Sequence, residues 1–256
     1  MDIYFEMAKR PVFSVEDVTH FYHNTESARS AVKRMLSASK AVKIRNGLYT
    51  CISAESGGPV ANRFQIAGAI TESSYVSHHT AMEYYGVADQ VFYDVYVSSE
   101  TRFLDFEFDG YTYRYIKSRL SEGIEIPEYS GGIRITDRER TLADCLKDMD
   151  IIGGIEETVA IIDSLHIINE KKLLHYLSLY DNQFLYQKAG YLLWPSRDAL
   201  GITESFFLVC KQHIGKSKRY LSKDMSGGIY VKEWNLIVPP NLFYLKNGEG
   251  SVNASV

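Results

Sequence analysis

Three groups of residues in this chain have the types and spacing to do chemistry. The first is cationic and hydroxylated: Ser27, Arg29, Ser30, Lys33 and Arg34, followed by Lys43, Arg45 and Tyr49. Residues 27–54 hold six basic side chains and no acid. Arginine, lysine and serine at this density suit phosphate oxygens and base edges. The second group is Lys211, Lys216, Lys218, Arg219 and Lys223, five cations in thirteen residues, again without an acid. The third is acidic. Asp105, Glu107 and Asp109 alternate with phenylalanine, which puts three carboxylates on one face of a strand.

The acidic group invites a metal-dependent nuclease or nucleotidyl-transfer reading. No Gly-Ser turn precedes it, and no lysine follows the second acid on that strand; Lys117 is the nearest, one strand later. A solvated strand face is the better expectation. His78 and His79 are adjacent and point about 100° apart on a helix, so they chelate one metal poorly. His20 and His23 lack a third ligand nearby in sequence. In Asp137-Arg138-Glu139-Arg140 the first acid caps a helix, the second favours its dipole, and the arginines pair with acids of the central segment. Asp144, four residues after Arg140, is spaced for an i,i+4 pair, worth only a few tenths of a kcal/mol when exposed. Phosphate-loop, dinucleotide-fold, zinc-protease, CxxC and nucleophile-elbow motifs are all missing. We therefore expect no enzyme, no cofactor and no metal.

The elements that must position the first cationic group can be read from pattern. A turn or two of helix covers residues 2–9. Ser14 and Asp17 approximate a capping box for a helix from about 15 to 22. Asn24 or Thr25 caps a second helix from Glu26 to about Ser37. Its buried side is Ala28, Ala31/Val32 and Met35/Leu36, and its other side carries Ser27, Arg29, Ser30, Lys33, Arg34 and Ser37. Two short strands follow, 41–44 and 48–52. Between them Asn46-Gly47 supplies the positive φ angles of a tight turn. Helix, helix, basic helix and basic hairpin is the order of a winged helix-turn-helix, with the basic helix in the major groove and Lys43, Arg45 and Tyr49 reaching the adjacent backbone or minor groove.

The turn-rich stretch 54–59 marks a boundary, giving an N-terminal DNA-binding domain over 1–55 and a second domain over 56–256. In the second domain helices are expected at 61–70, 78–86, 138–149, 155–165, 170–180, 183–193 and 203–213. Strands are expected at 91–97, 103–108, 111–116 and 132–135, with Asp109-Gly110 as a tight turn, and short strands at 220–221, 229–231 and 234–238. The class is α+β.

Composition sets outer bounds. The chain has 256 residues, 45% hydrophobic and 23% charged, with mean hydropathy −0.19. That fits a globular protein with a core rather than disorder or a membrane span. The net charge of −4 conceals segregation: residues 72–163 hold 19 acids against 8 bases, and residues 164–256 hold 11 bases against 7 acids. Cys51, Cys145 and Cys210 are too far apart for a disulfide framework or a metal knuckle. With no secretory leader visible, the expected compartment is the cytoplasm.

Six segments carry a resemblance. Lys43-Ile-Arg-Asn-Gly-Leu-Tyr49, the run from Tyr75 to Gly86, Phe108-Asp-Gly-Tyr-Thr-Tyr-Arg-Tyr115, the run from Ile135 to Leu146, Lys188-Ala-Gly-Tyr-Leu-Leu193 and Trp234-Asn-Leu-Ile-Val238 stand in the order seen in AbiEi-type antitoxins. The resemblance covers roughly residues 10–240. It implies a bacterial two-domain protein whose N-terminal winged helix binds operator DNA and represses a toxin–antitoxin operon. Its C-terminal domain would neutralise a nucleotidyltransferase-like toxin without forming a stable complex, the type IV arrangement of abortive-infection systems. His79 departs from the family, whose members often carry a bulky aromatic or a small residue there. The alternative is a ligand-sensing winged-helix regulator, suggested by the tyrosine- and phenylalanine-rich strands. The second cationic group is expected to form a surface on the C-terminal domain that contacts DNA flanking the operator, or RNA.

Overall fold

A computed structural model describes residues 2–87, 92–223, 225, 227–240 and 242. It is a mixed α+β protein in two compact units, Met1–Thr141 and Leu142–Val256. The expected boundary at 55/56 does not separate units. Residues on both sides of it share one core, in which Ile44, with Val12 and Leu48 against it, packs with Ile66, Val76, Val95, Val97 and Ile135.

The first unit opens with α1 (Ile3–Met7), α2 (Val15–Thr19) and α3 (Thr25–Ser37). Ser14 and Asp17 form the capping box of α2. Phe13, between α1 and α2, bridges Tyr49 through backbone hydrogen bonds in both directions, each 2.9 Å. Strands β1 (Ala41–Arg45) and β2 (Leu48–Cys51) make an antiparallel hairpin. At its tip only Gly47 has positive φ, +82°, so the turn needs one left-handed residue and not two. Met7, Phe13, Val18, Ala28, Ala31, Val32, Met35 and Cys51 form the small core beneath these elements.

Next come α4 (Arg63–Ala69), β3 (Tyr75–Val76), α5 (His78–Tyr84), β4 (Asp94–Ser99), β5 (Phe106–Phe108), β6 (Tyr111–Lys117), β7 (Ile124–Glu125) and β8 (Ile135–Thr136). Residue 91, the expected start of the strand that becomes β4, lies outside the described residues. The strands build a six-stranded mixed sheet in the order β5-β6-β4-β3-β8-β7, with β4/β6 and β3/β8 parallel. Asp109 and Gly110 both take positive φ, as a two-residue hairpin turn of this kind requires. Helix α6 (Arg138–Lys147) contains the division between the units.

The second unit holds α7 (Gly154–Ser164), α8 (Glu170–Tyr180), α9 (Gln183–Leu193), α10 (Arg197–Leu200) and α11 (Glu204–His213). A three-stranded sheet completes it: β9 (Arg219–Tyr220), β10 (Ile229–Val231) and β11 (Leu236–Val238), in the order β10-β11-β9. Leu185, Leu192, Leu193, Phe206, Phe207, Trp234 and Leu236 are buried in this unit. Among the described residues, no helix is long and apolar enough to cross a membrane.

Candidate nucleic-acid interface

Helix α3 carries the first cationic group, and its geometry follows from capping and periodicity. Asn24 accepts a hydrogen bond from the Ser27 backbone N–H at 2.8 Å and so satisfies one donor at the helix start. Ala28, Ala31, Val32 and Met35 recur every three or four residues and are buried. The opposite face is thereby fixed outward. Arg29, Ser30, Lys33, Arg34 and Ser37 are exposed, while Ser27 is half-buried. Ser30, Lys33, Arg34, Ser37 and Ala38 line a shallow hollow of about 480 Å³ along this face.

Electrostatics separates these cations from their neighbours. Lys9 pairs with Glu6, Arg10 with Asp17, and Lys40 with Asp2 at 2.9 Å. Arg29, Lys33 and Arg34 have no carboxylate partner among the described residues. Their charge is uncompensated locally and faces solvent.

The hairpin contributes less than expected. Lys43 is exposed and donates to Asn46 Oδ1 near the tip. Arg45, expected at the DNA, is half-buried and turned toward the protein. Its guanidinium carbon lies 5.5 Å from the Phe103 ring centre and 5.3 Å from that of Phe106, and its Nη1 is buried. The register between Lys43 and Arg45 is irregular, which breaks the alternation that would keep the two on one face. Tyr49 is likewise committed to packing: its half-buried ring stacks on Phe13 at 5.7 Å.

The second group also divides. Lys211 forms an ion pair with Glu233 and lies over the Trp234 ring, so it belongs to the packing of its unit. Lys216, Lys218, Arg219 and Lys223 are exposed. The sequence did not single out Tyr220 and Tyr230, which are 51% and 39% exposed on the same small sheet.

Several of the other candidates make contacts within the fold. Asp105 accepts from the Tyr115 backbone N–H at 2.9 Å and from Arg114, and Asp109 sits in the turn. Among the described residues no three His, Cys, Asp or Glu side chains come together in a way that would hold a metal ion. His78 and His79 are both buried. His78 Nδ1 is 2.8 Å from Ser77 Oγ, and the His79 ring is 4.2 Å from Phe92 and 4.6 Å from Tyr96. Burial, with His78 and Arg63 adding to it, lowers the His79 pKa to about 3, so the ring is neutral. Asp137 accepts from the Arg140 backbone N–H at 2.8 Å, as expected of a cap. Arg140 is buried and donates to the carbonyls of Leu120 and Glu122, holding the segment between β6 and β7.

No protein-family model and no curated protein matches the chain. In fold the chain is similar to the crystal structure of RV2827C protein from Mycobacterium tuberculosis, with a TM-score of 0.64 and 14% sequence identity over 96% of this chain and 93% of that one.

Proposed function

We propose that this protein is a DNA-binding repressor that also serves as the antitoxin of a type IV toxin–antitoxin pair. In this reading α1 to β2 form a winged helix-turn-helix. Helix α3 enters the major groove and the β1–β2 hairpin is the wing. The observation that carries it is the outward face of α3, where Arg29, Lys33 and Arg34 stand without acidic partners among the described residues, above a wholly apolar inner face. The Phe13–Tyr49 bridge supports the wing assignment, because it ties the wing to the segment between the first two helices.

The partners are operator duplex and a nucleotidyltransferase-like toxin encoded beside it, opposed without a lasting complex in the cytoplasm. No catalytic step is assigned to the chain. The DNA half is tested by titrating the DNA upstream of the reading frame at several salt concentrations. Three phosphates neutralised by α3 give a slope of roughly −2.7 in log K against log salt. Binding by Lys33→Ala/Arg34→Ala equal to wild type sinks the assignment. The antitoxin half is tested by co-expression with the adjacent nucleotidyltransferase frame. Rescue of growth is expected, and its failure removes that half alone.

A further inference from the structure

The three-stranded sheet of the second unit brings together two tyrosines that are ten residues apart in sequence. Ile237 on the central strand β11 pairs with Tyr230 on β10 and with Tyr220 on β9. Residues directly opposite in a ladder project from the same face, so Tyr220, Ile237 and Tyr230 form one lateral row. Their neighbours Leu221, Leu236 and Val238 are buried on the other face. The row faces solvent. With strands spaced about 4.8 Å, the two rings stand roughly 10 Å apart across the sheet.

The surroundings of this row are cationic. Lys216, Lys218 and Lys223 are exposed and make no ion pair with a described residue, and residues 211–223 contain no acid, whereas Arg219, opposite Leu236, projects from the other face. The Lys218 ammonium lies 4.5 Å from the centre of the Tyr230 ring. Tyr230 Oη donates to Asn235 Oδ1 at 2.7 Å, which fixes the tilt of that ring.

We propose that this face binds single-stranded nucleic acid, with bases stacked on Tyr220 and Tyr230 and phosphates held by Lys216 and Lys218. Exposed aromatic rings set in a row on a sheet, beside cations that pair with no described carboxylate, are what unstacked bases and their backbone require. A duplex keeps its bases inside the stack and has no use for the rings. Lys218 does not obstruct the site. An exposed cation–π contact is worth about 0.5–1 kcal/mol, whereas base stacking on an aromatic side chain is worth about 1–3 kcal/mol. A base therefore displaces the ammonium, which then meets the phosphate. The proposal is independent of operator binding by α3.

The test uses the full chain carrying Arg29→Ala/Lys33→Ala/Arg34→Ala, which removes the α3 cations. Fluorescence anisotropy is measured with a labelled oligouridylate of about 12 nucleotides, the matching oligothymidylate, and a duplex of equal length. Single strands are expected to bind more tightly than the duplex. Tyr220→Ala is expected to weaken them roughly tenfold, and Tyr220→Phe to bind like the parent. Lys216→Glu/Lys218→Glu, at exposed positions, should weaken binding and flatten its salt dependence by about 0.7 for each phosphate no longer neutralised. A preference for uridylate over thymidylate identifies RNA as the ligand, and equal binding identifies any single strand. Unchanged single-strand binding by Tyr220→Ala, or a duplex that binds as well as the single strands, overturns the proposal. Tyr220 is half exposed and its side chain makes no hydrogen bond or ring contact with a described residue, so circular dichroism should show Tyr220→Ala folded. Should it not be, unaltered binding by Lys216→Glu/Lys218→Glu overturns the proposal by itself.

Discussion

Gly190 on α9 lies against the indole of Trp234, so close that a methyl group on its Cα would fall inside the ring. The two residues belong to Lys188-Ala-Gly-Tyr and Trp234-Asn-Leu-Ile-Val, segments more than forty positions apart in sequence. Their contact seats the small sheet on the helices. Trp234 is buried, and Gln187, one turn before Gly190, donates to its carbonyl at 2.9 Å. Gly190→Ala should cost about 1–3 kcal/mol through overpacking. Chemical denaturation measures the loss. Because the clash is specific to the ring, Gly190→Ala/Trp234→Leu should be less destabilised than the two single variants added together.

Arg34 and Arg45 should respond in opposite ways to alanine. Arg34→Ala should weaken operator binding and leave the unfolding midpoint within the small range usual for exposed surface changes. Arg45→Ala should leave operator binding close to wild type and cost on the order of 1 kcal/mol of stability, since its guanidinium packs on Phe103 and Phe106. Anisotropy titrations and urea melts on both variants decide this. A large binding defect in Arg45→Ala would restore it to the interface.

Asn24 sets the start of α3, so its loss should appear in both stability and binding. Asn24→Ala is expected to cost about 1 kcal/mol, and Asn24→Asp to retain most of the cap. Hydrogen exchange at the first turn of α3 should quicken in the alanine variant alone.

His79 predicts a pH dependence whose sign can be worked out. Its folded pKa is about 3 and its unfolded value about 6.5. Between those values the unfolded chain binds the proton and the folded chain does not, so stability falls as pH falls from about 6.5 toward 3. The slope from this one group approaches 1.4 kcal/mol per pH unit. His79→Phe keeps an aromatic ring between Phe92 and Tyr96 and should remove that part of the acid sensitivity. Urea unfolding of both proteins at pH 7 and pH 5 provides the comparison, and equal losses would refute it.

What the sequence made legible was local. The cap and burial stripe of α3, the Asp109-Gly110 turn, and helices α8, α9 and α11 follow from spacing and capping within a dozen residues, and the structure has them where the pattern put them. The packing of Arg45 was not legible because it depends on an irregular register and on two phenylalanines some sixty residues downstream. The contacts of Lys211 were hidden for the same kind of reason: Glu233 and Trp234 come from another segment. The row formed by Tyr220 and Tyr230 went unseen because both tyrosines are aligned through a third strand, and register across a sheet is not written in either strand alone.

Ile44 and Leu48, which flank the turn at the tip of the hairpin, pack that end of it into the core of the six-stranded sheet. A cut at residue 55 would leave apolar surface unroofed on both fragments, so the N-terminal module is not a detachable head. Torque applied to the hairpin is delivered to the sheet rather than dissipated in a tether. An isolated 1–55 peptide is accordingly expected to aggregate or melt, while intact protein keeps the α3 cations at a fixed bearing to the strands behind them.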